Sequence, residues 1–220
     1  MRSLPVFSLM LPLLLGACKN GPDTGQLTSS AEIFLGNGGA SLFDTSARSY
    51  GRPCLDGLNL NSTQLGGGGL FGDDSNLIRF IEKHKLANTF HAPQPNGTDL
   101  VTLMPIAPYE ANWSSGQAGF SSFCFGKITL IKAEAVPDAK PITAGASEPY
   151  IIQGTEAIST RLTFKLTDVP AGDFVADLKE RPSLLARGAM KPDDYGQELT
   201  VVVPLPLKPE NFVPAVNQNP

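Results

Sequence analysis

Histidine is the side chain best suited to acid–base work near neutral pH, and this chain of 220 residues has two, at positions 84 and 91. His84 follows Leu77 by seven residues and Phe80 by four, at the edge of an apolar helical stripe. A histidine there packs half-buried more readily than it serves as a base. His91 stands just before Pro93, in what reads as a loop. A seven-residue separation does not aim both rings at one ion from a single helix, so no metal site is assigned. A Ser-His-Asp triad needs its members only to meet in space, yet no Gly-x-Ser-x-Gly elbow marks a nucleophile. No catalytic residue is assigned.

The run Gly66-Gly67-Gly68-Gly69-Leu70-Phe71-Gly72 stands ahead of a helix start, where backbone N–H groups could wrap a phosphate. Asp73 and Asp74 put negative charge where that phosphate would sit, and no Lys-Ser or Lys-Thr follows. The run reads as a solvated loop, and no cofactor is assigned. Tyr109, Trp113, Phe120, Phe123 and Phe125 form the densest aromatic stretch, threaded with serine and glycine. The phenylalanines suit a core. Tyr109 and Trp113, each an apolar body with a polar tip, are the candidates for stacking on a glycan or packing on a protein partner.

At the start of the chain Arg2 precedes an apolar run from Leu4 to Leu15, too short to remain in a bilayer as a helix, and the segment reads as a signal peptide. It closes in Leu15-Gly16-Ala17-Cys18, two small residues before a cysteine. This pattern resembles the lipobox of bacterial lipoproteins. The resemblance covers the export segment alone. It implies that Cys18 takes a diacylglycerol, that cleavage falls before it, and that the chain is held to a membrane by that lipid. By the same resemblance, Lys19 after the cysteine points to the outer membrane, with the domain facing the periplasm or the cell exterior. With Cys18 given to lipid, Cys54 and Cys124 remain as an even pair in an oxidising compartment, and a disulfide between them is expected.

The elements that must carry these residues follow from composition and periodicity. Net charge is −4 and no cluster of Lys or Arg could neutralise a phosphate backbone, so a nucleic-acid partner is disfavoured. Residues 1–17 are the signal peptide. Residues 18–30 read as the lipidated cysteine and a flexible tether poor in apolar side chains. Residues 31–208 form one domain, opening with an irregular glycine-rich segment, and 209–220 form a loose tail.

A capped amphipathic helix is predicted over 75–87, with Asp73, Asp74 or Ser75 as cap. A half-buried strand is predicted over 158–167, and weaker strands over 99–104, 125–136, 150–153 and 198–203, the last ended by Pro204 and Pro206. Asp168 could cap a short helix carrying Phe174 and Leu178. The fold class is α+β, an antiparallel sheet of about four to five strands packed against one amphipathic helix. The function that fits is a non-catalytic envelope lipoprotein binding another envelope macromolecule. The alternatives are a periplasmic hydrolase using a histidine and an inhibitory or protective lipoprotein against a toxin or hydrolase.

Overall fold

The computed structural model describes residues 23–43, 48–59, 63–65, 75–115 and 120–214. It is an α+β fold in which the strands among the described residues pair antiparallel, with one isolated parallel bridge between Gly51 and Ala189. The described elements in chain order are α1 (Thr24–Gly36), β1 (Cys54–Asn59), β2 (Thr63–Leu65), α2 (Ser75–His84), β3 (Ala87–Pro93), β4 (Asp99–Pro105), β5 (Trp113–Ser115), β6 (Phe120–Cys124), β7 (Lys127–Ala135), β8 (Ile142–Thr143), β9 (Glu156–Thr167), α3 (Phe174–Glu180) and β10 (Leu199–Pro206). They form a sheet ordered β10-β9-β7 with β8 also on β9, a sheet β1-β6-β5 and a sheet β2-β4-β3.

Strand β9 is the expected alternating strand, lengthened at its start. Leu162, Phe164 and Leu166 are buried while Arg161, Thr163 and Lys165 face outward, as strict period-two patterning requires. Its partner β10 differs from expectation, because Pro204 and Pro206 lie inside the strand, opposite Ser159 and Ala157. Proline costs a ladder donor, and β10 tolerates it as an edge strand. Both proline carbonyls are used, accepting from the Tyr150 hydroxyl and the Ser30 hydroxyl at 3.0 Å each.

The tether expectation is corrected from Thr24 onward, where the chain is helical. Asp23 caps α1 by accepting from the Gly25 N–H at 2.9 Å. Leu27, Ser30, Ala31, Phe34 and Leu35 are buried, and their spacing of three and four residues makes one helical stripe. Thus α1, rather than the 75–87 helix, covers the four-stranded sheet. Ala31, Phe34 and Leu35 share a core with Leu162, Phe164, Leu199, Val203 and Leu205. Burying one side chain of the size of Phe34 is worth about 1.5–3 kcal/mol.

The predicted amphipathic helix forms as α2 but stops at His84, three residues early. Lys85 adopts φ +53, and the Leu86 N–H bonds the Ile81 carbonyl, a left-handed closure that turns the chain directly into β3. Asp73, Asp74 and the 66–72 glycine run lie outside the described residues. A second core gathers Leu77, Ile78, Phe80 and Ile81 of α2, Val101 and Leu103 of β4, Phe123 and Phe125, and Phe174 and Leu178 of α3. Val169 and Tyr195 pack against both cores.

The strand expected over 125–136 is broken at its start. Gly126 has φ +68, and a Cβ there would stand 2.8 Å from Leu166 Cδ1 and 3.0 Å from the Thr167 carbonyl oxygen. Glycine alone makes this joint between β6 and β7 without a clash. Three smaller expectations also fail. Residues 150–153 contribute one isolated bridge, Ile151 to Phe212, instead of a strand. The tail expected from Pro209 is docked as far as Phe212, which is buried and stacks on Tyr150 at 6.5 Å. Asp168 is in a left-handed turn at φ +56 and does not cap α3, whose N-cap position is Asp173.

Candidate functional site

The disulfide expected between Cys54 and Cys124 is formed. The two residues face one another across the β1–β6 ladder with Cα atoms 4.0 Å apart, closing a sequence separation of 70 that contains α2. The Cys124 carbonyl accepts from Arg52 Nη2 at 3.0 Å and from Asn112 Nδ2 at 2.8 Å, and Arg52 Nε donates to the Gly126 carbonyl at 3.0 Å. These bonds lock the bridge to the loop before β5 and to the Gly126 joint.

Tyr109 and Trp113 come together against the ring of Phe123, at centroid distances of 5.9 and 5.2 Å. Both are half-buried at the border of the second core, and Phe123 and Phe125 lie wholly within it. Trp113 Nε1 donates to the Leu86 carbonyl at 3.1 Å, the same residue that closes α2. Trp113→Phe keeps one ring beside Phe123 and removes both this donor and the rest of the indole. Its expected cost is at least about 1 kcal/mol in urea-induced unfolding, the lost packing adding to the lost bond. An unchanged unfolding midpoint would show that the indole N–H contributes nothing to stability.

His91 lies on β3 rather than in a loop. The β3–β4 hairpin closes through Gln94 to Thr98, whose backbones bond at 2.8 Å, with Gly97 at φ +80. This register puts His91 opposite Val101 and Pro93 opposite Asp99, so His91 and Asp99 share one face of the hairpin, towards α2. His91 Nδ1 meets Asp99 Oδ2 at 2.5 Å, and Nε2 meets Glu82 Oε1 of α2 at 2.8 Å. The Thr89 hydroxyl donates to the same Glu82 oxygen at 2.8 Å. The bonds to Asp99 and then Glu82 raise the His91 pKa above the ordinary imidazole value. The bond from His91 chiefly holds Glu82 below the ordinary carboxylate range.

This arrangement binds a proton well and is poorly placed to use one. A general base needs a free nitrogen lone pair facing its substrate, and here both ring nitrogens face carboxylates. The two carboxylates also sit on opposite sides of the ring, so one ion could not collect all three groups. Among the described residues no group of three or more His, Cys, Asp or Glu side chains is arranged to hold a metal.

His84 is the packing residue that its place on the helical stripe suggested. Its ring lies against Phe80 and Phe174 at 4.5 and 5.2 Å, and Nε2 meets Asp177 Oδ2 at 2.8 Å. Lys83 Nζ reaches the same oxygen at 2.5 Å. The bonds from Lys83 and then His84 hold the Asp177 carboxyl below the ordinary range. The cluster ties α2 to α3.

Compared with protein families, curated proteins and solved structures, the chain matches none. The site therefore stands on its own geometry. On the opposite face of the β3–β4 hairpin, Phe90 and Met104 are 55 % and 48 % exposed. An open groove of about 590 Å³ runs between the end of α2 and β3, lined in part by Glu82, Lys85, Thr89 and Phe90. Sequence reasoning missed Glu82 and Asp99. The Asn96-Gly97 pair was the available signal, because a turn there folds β3 onto β4 and brings residues 91 and 99 to one face. Cys18 lies outside the described residues.

Proposed function

We propose that this chain is a cell-envelope lipoprotein, exported, cleaved before Cys18 and held to a membrane by lipid on that cysteine, with an α+β domain that binds another envelope macromolecule. The observation that carries the reading is Leu15-Gly16-Ala17-Cys18 at the end of a short apolar run. The disulfide supports it, since pairing Cys54 with Cys124 leaves Cys18 as the one remaining cysteine of three. No described helix is long and apolar enough to cross a membrane. The exposed Phe90 and Met104 offer a protein or glycan partner an apolar contact, with Tyr109 and Trp113 as further candidates. A hydrolase that used His91 as base would first have to break one of its two carboxylate bonds.

Cys18→Ser tests the anchor. The variant should leave the membrane fraction almost entirely, and intact mass of the wild type should show the acyl chains that the variant lacks. A variant that stays membrane-bound after a salt wash, or a wild type without acyl mass, overturns the reading. Lys19 directs the proposal to the outer membrane, and sucrose-gradient fractionation of the two membranes checks that part.

A further inference from the structure

The cluster at His91 joins three elements through one ring. Glu82 comes from α2, His91 from β3 and Asp99 from β4. A neutral imidazole has one N–H and one lone pair, so it can donate to one carboxylate only and must turn a lone pair on the other. The imidazolium donates to both. From this geometry we infer that Glu82, His91 and Asp99 form a proton-dependent clasp, closed on the imidazolium, which opens at its Glu82 arm when the ring loses a proton and leaves the Thr89 hydroxyl as the remaining side-chain bond from β3 to Glu82.

The two arms are unequal, and this decides which one opens. Asp99 Oδ1 is buried without a hydrogen-bond partner among the described residues, so its carboxylate depends on the Nδ1–H bond to Oδ2. Losing that bond would leave Oδ1 unpartnered and Oδ2 with partial hydration alone, since the Asp99 side chain is 31 % exposed. Glu82 is only slightly more exposed, at 36 % against 31 %, but it keeps the Thr89 hydroxyl and feels Arg79 along its own helix. The last proton therefore stays on Nδ1, facing Asp99, and Glu82, still held by Thr89, takes water in place of the imidazole N–H at the groove it lines with Lys85.

The other charges near the cluster do not reverse this balance. Lys83 is committed to Asp177 on another side of α2, and β2 carries no titratable residue type over 63–65. With His91 raised, its bond to Glu82 is complete below the ordinary imidazole pKa and is lost as pH rises through the folded-state value. With Glu82 lowered, the acid side of the window ends only as pH falls through its depressed carboxylate range. The device depends on no lipid and is independent of the anchor.

The experiment is an NMR titration of the full exported chain carrying Cys18→Ser, in which the two histidine rings are told apart by His91→Gln. The His91 ring should titrate above the ordinary imidazole value, and each unit of that elevation corresponds to about a tenfold change in the ratio of closed to open clasp. Above its midpoint the ring 15N shifts should report the proton on Nδ1, and the Glu82 side-chain carboxyl shift should move with the same midpoint. Glu82→Gln, a conservative change at a partly exposed site, should bring the His91 midpoint down while leaving the Nδ1 signature. A midpoint at or below the ordinary value, a proton on Nε2, or a Glu82 signal indifferent to the His91 titration overturns the clasp.

Discussion

Phe174→Ala is expected to cost about 3–5 kcal/mol of unfolding free energy, at the top of the range for a single substitution. Phe174 opens α3 and is fully buried, with its ring 5.1 Å from Phe80, 4.8 Å from Phe125 and 5.2 Å from His84. One side chain thus joins α2, the end of β6 and α3. Removing it loses the transfer free energy of a phenyl ring and leaves a cavity walled by three other rings, those of Phe80, Phe125 and His84, which cannot collapse without leaving their own partners. Against a typical total of about 5–15 kcal/mol, the loss should shift a urea transition strongly. Phe174→Leu, which keeps most of the volume, should cost clearly less. If the alanine variant loses under about 1 kcal/mol, the second core does not depend on this ring as the packing implies.

Removal of the Cys54–Cys124 bridge should cost about 4 kcal/mol by chain entropy, since the bridge closes a 70-residue separation in the unfolded chain. The effect is measured by urea unfolding with and without reductant, and by the double variant Cys54→Ser, Cys124→Ser. Reduction should act on the unfolded state, so the two experiments should agree. Two titratable thiols in freshly prepared oxidised protein would overturn the bridge. Agreement on a cost near zero would mean that the β1–β6 ladder, with Leu55 opposite buried Phe123, holds the register without it.

How far the sequence could be read depended on how much each element says for itself. β9 was legible because large apolar side chains alternate with polar ones, a pattern with one structural solution. α2 was legible because Leu77, Ile78, Phe80 and Ile81 contrast with Arg79, Glu82 and Lys83 around the same helix. α1 was not, because Ser30 and Ala31 occupy two of the five buried positions and Gly25, Thr24 and Thr28 lower its helix propensity. Tertiary contact supplies what local preference lacks, as the Ser30 bond to the Pro206 carbonyl illustrates.

The candidate site divides in the same way. The cysteine pairing was legible by counting once Cys18 was set aside. The clasp was not, because Glu82 and Asp99 lie nine and eight residues from His91 on other elements. Their meeting required both the hairpin register and the early stop of α2 at His84.

With lipid on Cys18, six residue steps separate the anchor from Thr24, where α1 starts, and a polypeptide of that length spans at most about 20 Å however it is arranged. A leash of this length cannot carry the domain far into the space beyond the leaflet. If the proposed anchor holds, it would confine the domain to a shell over the lipid headgroups and make the search for the proposed partner largely two-dimensional. Molecules embedded in the same leaflet, or lying against it, would be met at a high effective concentration. A polymer standing well away from the bilayer is out of range unless it comes to the membrane itself.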